Sequence, residues 1–186
     1  ARIPYIVCLE EFILDLPTVM FDRAEAARKV MTHLLDLGHK RIAFVAINDQ
    51  RLAVYRQSLL EHGIEYDPRL VHFLDPSPIQ SAYNIVNNLI ESGIEFNAVF
   101  TTTDEAAIGA IAALKDNGLS IPQDIAVASI DNIELANMIR PSLTTVDIPK
   151  RTLARLAIQS LQTQKEYDDQ NHVSMLVPTK LIIRES

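Results

Sequence analysis

The stretch 98–130, AVFTTTDEAAIGAIAALKDNGLSIPQDIAVASI, carries the change of period that decides the fold. It opens on the apolar run 98–101 and passes at Asp104 into apolar positions at helical spacing that continue to Asn117. It stops at Gly118 and re-enters a nearly all-apolar run at 125–130. A strand with one wet face alternates; a strand apolar at every position is buried on both faces, which is the habit of parallel sheets covered by crossover helices. Gly118 reads as a helix stop, because the left-handed residue that ends a helix favours a side chain without Cβ.

The same unit recurs on the N-terminal side. The run 71–74 leads to a helix over 79–91 that stops at Gly93, and 42–46 leads to a helix over 51–61 that stops at Gly63. A further helix spans 23–37, with Ala27, Val30, Met31, Leu34 and Leu35 on one face and Gly38 as its stop. The short runs 6–9 and 18–21, separated by an acidic loop ending at Pro17, read as strands. Downstream, Pro141 and Pro149 bracket 143–148, which therefore cannot be a long helix, so the chain crosses over there. A last helix over about 150–162, a polar loop and a closing strand at 181–183 complete an α/β chain of parallel sheets flanked by helices.

With 186 residues, 48% of them hydrophobic and 22% charged, the chain can bury a substantial core. Its formal net charge of -7 repels phosphate backbones, so this segment does not itself grip DNA. The single cysteine, Cys8, has no partner for an internal disulfide and reads as a small buried hydrophobe in a reducing compartment. No apolar stretch approaches the roughly 18 residues that span a bilayer, and the N-terminus lacks an export pattern, so a cytoplasmic protein without membrane contact is expected.

Catalysis finds no support. There is no G-x-S-x-G elbow, and the five histidines stand singly with no carboxylate or cysteine at metal-ligand spacing. The five glycines are too scattered to cradle a phosphate. No enzyme, metal or cofactor is expected. In an open parallel sheet, ligands bind beyond the carboxyl ends of the strands, which singles out the polar residues there: Asp22, Arg51, Thr103 with Asp104, and Asp131 with Asn132. A carboxylate at Asp131 and a guanidinium at Arg51 on one rim could together hold the hydroxyls of a sugar or the edge of a base. Such residues at strand-to-helix junctions also serve as N-caps, and that accounts for Thr103 and Asn132 as well as ligand contact does.

Several stretches, in order along the chain, resemble the LacI/GalR family of transcription regulators. Asp22-Arg23-Ala24-Glu25-Ala26-Ala27 leads into Leu37-Gly38-His39-Lys40-Arg41-Ile42-Ala43, similar to the family's crossover helix and its "LGH-RIA" ending. Thr103-Asp104-Glu105-Ala106-Ala107-Ile108-Gly109-Ala110 resembles the "ND-MA-GA" helix start. Most specific are Ile121-Pro122-Gln123-Asp124-Ile125, then Ile130-Asp131-Asn132, then Pro141-Ser142-Leu143-Thr144-Thr145-Val146, which resemble "VP-DI-V-G-DN … P-LTTV".

The resemblance implies a two-lobed periplasmic-binding-protein-like fold with the effector in the cleft between lobes. It places 1–21 and 147–164 in a partly present N-lobe, and 22–146 and 165–186 in a C-lobe. It implies a homodimer, operator DNA held through a helix-turn-helix headpiece that these residues do not include, and in some relatives a co-regulator protein. Arg51 and Asp131 match the family's ligand-binding arginine and aspartate, and Phe21, Asp22 and Thr103 match positions that line its cleft. The sequence departs from the family at Val54, where a glycine is usual, at Ser129, at Pro76 in place of a stacking aromatic, and in a short loop between Ala46 and Arg51. The expected function is an effector-binding domain of a regulator, by family habit a repressor, sensing a sugar, nucleoside or purine. The alternative on the same fold is a periplasmic sugar-binding protein of a transporter.

Overall fold

A computed structural model describes residues 18–166 and 174–186 of the chain. The expected strand at 6–9 and the burial of Cys8 lie outside the described residues. The chain divides into two compact units, Ala1–Asp22 with Ile148–Thr179, and Arg23–Asp147 with Lys180–Ser186.

In the smaller unit, β1 (Thr18–Phe21) pairs in parallel with β7 (Ser174–Val177), from Thr18 opposite Ser174 to Phe21 opposite Val177. The helix α6 (Lys150–Glu166) packs on β1. This corrects the placing of 174–179 with the C-lobe. The four residues of β7 follow a polar tract and end at Pro178, too short a run to show a period, and their parallel hydrogen bonds to β1 fix their side.

The larger unit alternates strand and helix as the sequence indicates: α1 (Arg23–Asp36), β2 (Ile42–Ala46), α2 (Arg51–Glu61), β3 (Val71–Phe73), α3 (Pro78–Glu91), β4 (Ala98–Thr101), α4 (Asp104–Asp116), β5 (Ala126–Asp131), a short α5 (Glu134–Met138), β6 (Thr144–Asp147) and β8 (Lys180–Ile182). The six strands lie in the order β3-β2-β4-β5-β6-β8, parallel except for β8, which runs antiparallel to β6.

Helices cover both faces, so the strands need no polar side. On one face Ala43, Val45, Val99 and Val127 join a core with Val86 and Leu89 of α3 and Ala110 and Leu114 of α4. On the other, the Phe44 ring stacks on Tyr55 of α2 at 4.9 Å and meets Phe100 edge-on at 5.3 Å. Tyr55 donates its hydroxyl proton to the Ile42 carbonyl at 2.9 Å, so the buried phenol is satisfied, and burial pushes its ionisation upward.

Two glycine roles matter. Gly38, Gly63, Gly93 and Gly118 all have positive φ and close their helices by the same bond pattern. At the last of them, for example, Leu119 N donates to Leu114 O at 3.0 Å and Gly118 N to Lys115 O at 2.9 Å. Gly109 is different: a Cβ there would stand 2.0 Å from the carbonyl oxygen of Ile79, so the missing side chain is what lets α3 and α4 pack this closely.

Candidate functional site

Strand β2 is central in an instructive way. The chain leaves β2 for β3 on one side and then crosses back to β4 on the other, so the order reverses between β2 and β4. Loops that leave adjacent parallel strands in opposite directions open a crevice at their carboxyl ends, where ligands of open α/β sheets bind.

Arg51 spans that point. It begins α2 just after β2, is only 1% exposed, and donates from Nη1 to the carbonyl oxygen of Thr102, the residue after β4, at 3.0 Å. Ile47 N, just past β2, donates to Thr102 Oγ1 at 2.9 Å, a second tie across the same reversal. The rest of the guanidinium is held by Asp49, whose Oδ1 accepts from Arg51 Nε at 3.0 Å and whose Oδ2 accepts from Nη2 at 2.5 Å. The same Oδ1 accepts from the Arg51 backbone N–H at 2.9 Å, satisfying an amide at the open end of α2. Three of the five guanidinium N–H donors are therefore committed to partners among the described residues. The two that remain, one on Nη1 and one on Nη2, are what Arg51 has to offer a ligand.

Asp131 ends β5, next along the sheet, and is half-buried. Its φ is +128° and that of Asn132 is +48°, two consecutive non-glycine residues in conformations that favour glycine. Each costs on the order of 1–3 kcal/mol and persists only where the surroundings over-determine it, which is the situation common at binding sites. Asn132 is held on three sides. Its backbone N–H reaches Thr145 Oγ1 at 3.3 Å, its side-chain Nδ2 donates to Asp147 Oδ1 at 2.7 Å, and its Oδ1 accepts from Arg184 Nη2 at 2.7 Å.

Thr103 caps α4: its Oγ1 accepts from Ala106 N at 3.2 Å, and its carbonyl accepts from the Thr101 hydroxyl at 2.9 Å. Arg51, Thr103 and Asp131 thus share one rim, following the adjacent strands β2, β4 and β5. Phe21 and Asp22 lie at the carboxyl end of β1 in the smaller unit, both half-buried.

Asp49 escaped the sequence reading as a site component, and the role of Asp104 escaped it too. Asp49 had a local signal, an acid two residues before an arginine in a strand-to-helix loop. Asp104 was noted beside Thr103, but an acid in the first turn of a helix is ordinary dipole complementation. Its full burial is the consequence of tertiary packing. Among the described residues, no group of three or more His, Cys, Asp or Glu could hold a metal ion, and no helix is long and apolar enough to cross a membrane.

The sequence model of the periplasmic binding protein-like domain matches residues 31–186. The chain belongs to that family. The chain is 32% identical over 193 residues to the HTH-type transcriptional repressor CytR of Escherichia coli K12, covering 100% of the chain and 56% of that repressor. A sugar-binding LacI-family regulator from Escherichia coli, solved with phosphate, superposes with a TM-score of 0.86 at 28% identity, covering 98% of this chain and 68% of that one. A LacI-family regulator from Enterococcus faecium, solved with bound ribose, gives 0.86 at 26% identity, covering 98% and 70%. The relatives of this periplasmic-binding-protein-like domain are thus transcription regulators of the LacI family, as the motifs imply. The chain spans little more than half the length of that curated relative.

Proposed function

We propose that the chain is the effector-sensing part of a LacI-type transcription repressor, and that its effector is a small polar molecule such as a sugar, nucleoside or purine. The observation that carries this reading is Arg51 bridging the β2/β4 reversal, in a chain whose full length aligns with a DNA-binding repressor. Arg51 and Asp131 hold ligand hydroxyls or amide edges as donor and acceptor. Thr103 contributes from the start of α4. A helix-turn-helix headpiece outside these residues binds operator DNA, the regulator works as a homodimer in the cytoplasm, and effector and operator affinities modulate each other reciprocally. An additional co-regulator protein is compatible with this scheme. Catalysis is not part of it.

The test is a thermal-shift screen against sugars, sugar phosphates, nucleosides and purines. A ligand at a hundred times its Kd adds about 2.7 kcal/mol of stability. At roughly 2–4 °C per kcal/mol for a chain of this size, that is a rise of about 5–11 °C. The shift is expected to vanish in Asp131→Ala, with Asp131→Asn as the control that keeps the side-chain shape. A variant that still binds with undiminished affinity removes Asp131 from the site.

A further inference from the structure

Asp104 is fully buried, yet the ligand chemistry above makes no use of it. A carboxylate shut away from water persists only where donors surround it, and the identity of those donors shows what it does. Three converge on it. Its Oδ2 accepts from the backbone N–H of Ile133 at 2.8 Å. Its Oδ1 accepts from the Thr145 hydroxyl at 2.6 Å and from the Ser129 hydroxyl. Thr145, having given its proton to Asp104, presents its oxygen lone pair to the backbone N–H of Asn132 at 3.3 Å.

Two successive backbone amides, Asn132 and Ile133, are therefore fixed by one carboxylate, one directly and one through a hydroxyl. They immediately follow Asp131, and Asp131 and Asn132 are the two described non-glycine residues with positive φ. In a buried setting of low dielectric, hydrogen bonds strengthen, and an acceptor surrounded by donors orients them rigidly.

We propose that Asp104 is the positioning residue of the effector site: its carboxylate holds the Asp131-Asn132 turn in its left-handed conformation and so sets where the Asp131 carboxylate stands. That Asp131 meets the effector rests on the reading above; that Asp104 shapes the turn does not, and it is tested without any ligand. Because Asp104 also begins α4, directly after Thr103, one buried group registers two candidate contacts, at the ends of β4 and β5, against each other.

The experiment is amide hydrogen exchange and Cα chemical shifts by NMR on the isotopically labelled protein, compared with three variants. In Asp104→Asn, which cannot accept from all three donors, exchange at Asn132 and Ile133 is expected to accelerate at least tenfold relative to Phe44 and Phe100. The Asp131 and Asn132 Cα shifts should move away from left-handed values. Thr145→Val, a near-isostere that removes the relay alone, is expected to release Asn132 and leave Ile133 protected. It keeps the proposal falsifiable should Asp104→Asn fold poorly. Ser129→Ala, which touches Asp104 but neither amide, is expected to leave both protected. A loss spread evenly over Phe44 and Phe100, unchanged exchange at both turn amides, or release of Ile133 by Thr145→Val overturns the proposal. Loss of effector binding in Asp131→Ala bears only on the reading above.

Discussion

Removal of Asp49 is the perturbation whose cost is set most directly by the geometry. The Arg51 side chain is 2% exposed and that of Asp49 14%. Asp49→Ala strips the guanidinium of two of its three bonds and leaves it buried, facing only the Thr102 carbonyl. Removing one partner of a buried ion pair costs about 3–5 kcal/mol, chiefly because the survivor is left desolvated and uncompensated. The loss of the Asp49 acceptor for the Arg51 backbone N–H adds roughly 0.5–2 kcal/mol, the usual range for a side chain that satisfies a helix N-terminus. The reverse deletion, Arg51→Met, fills the space with an apolar chain and leaves Asp49 as the orphan. Being closer to water, Asp49 can rehydrate, so this variant is expected to lose less.

Urea unfolding of wild type, each single variant and the double variant closes a cycle. Asp49→Ala is expected to lose at least about 3 kcal/mol, Arg51→Met less, and the double variant less than the sum, with a coupling of about 1–3 kcal/mol. In a thermal melt the Asp49 variant should fall by roughly 6–20 °C. A loss under about 0.5 kcal/mol, the level of a surface substitution, or a coupling indistinguishable from zero, would refute the claim that this pair is a buried fork fixing Arg51 at the strand reversal.

Gly109→Ala gains up to about 1 kcal/mol of intrinsic helix preference, yet its Cβ meets the Ile79 carbonyl at 2.0 Å, so α3 and α4 must part. A net loss of about 1–3 kcal/mol in chemical denaturation is expected, and a stabilised variant would show that the helix contact is looser than described. Burial holds His33 and His39 below their ordinary value of 6.5, with the neighbouring His39 adding to the effect at His33. The unfolded chain then binds more protons, so the stability these groups contribute is present above pH 6.5 and lost as pH falls through their lowered values. Replacing both with Asn should flatten the slope of unfolding free energy in that window. At Glu185, the N–H and hydroxyl of Ser142 hold the carboxyl below its ordinary 4.5, so its contribution is lost only below that pH, and Glu185→Gln should reduce the acid sensitivity there.

The fold was legible where a local rule and a tertiary demand coincide. A helix ended by glycine and followed by an all-apolar strand can be read from neighbours in sequence, and Gly38, Gly63, Gly93 and Gly118 adopt the positive φ that this reading requires. The order of the strands could not be read that way, since nothing in 42–46 or 71–74 says that β3 lies at the sheet's edge and β2 inside it. The short strand β7 escaped for a related reason: four residues next to a proline carry too little period to be told from a loop. At the candidate site, the positions of Arg51 and Asp131 at strand ends were legible, whereas the groups that fix them were not. Asp49 and Asp104 look like ordinary acids near helix starts, and only the packing shows that one is clamped on a guanidinium and the other sealed among three donors.

That difference has a physical basis that extends beyond these two residues. Every parallel strand of the larger sheet either ends on an aspartate, Asp131 or Asp147, or is followed by one within three residues, Asp49, Asp75 or Asp104. One sequence feature thus serves several roles. Asp49 neutralises Arg51, Asp104 anchors the turn amides, and Asp147 accepts from the Asn132 side chain. An aspartate already spent on internal donors offers a ligand little, because breaking those bonds would leave the donors unpaired at a cost of about 1–3 kcal/mol each. Asp131 stands apart from these three by its backbone: it alone among the five has a left-handed φ, and strain of that kind survives only where neighbouring bonds hold it. Asp104 and Asp147 hold the Asp131-Asn132 turn through the Ile133 N–H, the Thr145 hydroxyl and the Asn132 side chain, and the proposal that the effector meets Asp131 rests on that strained pose.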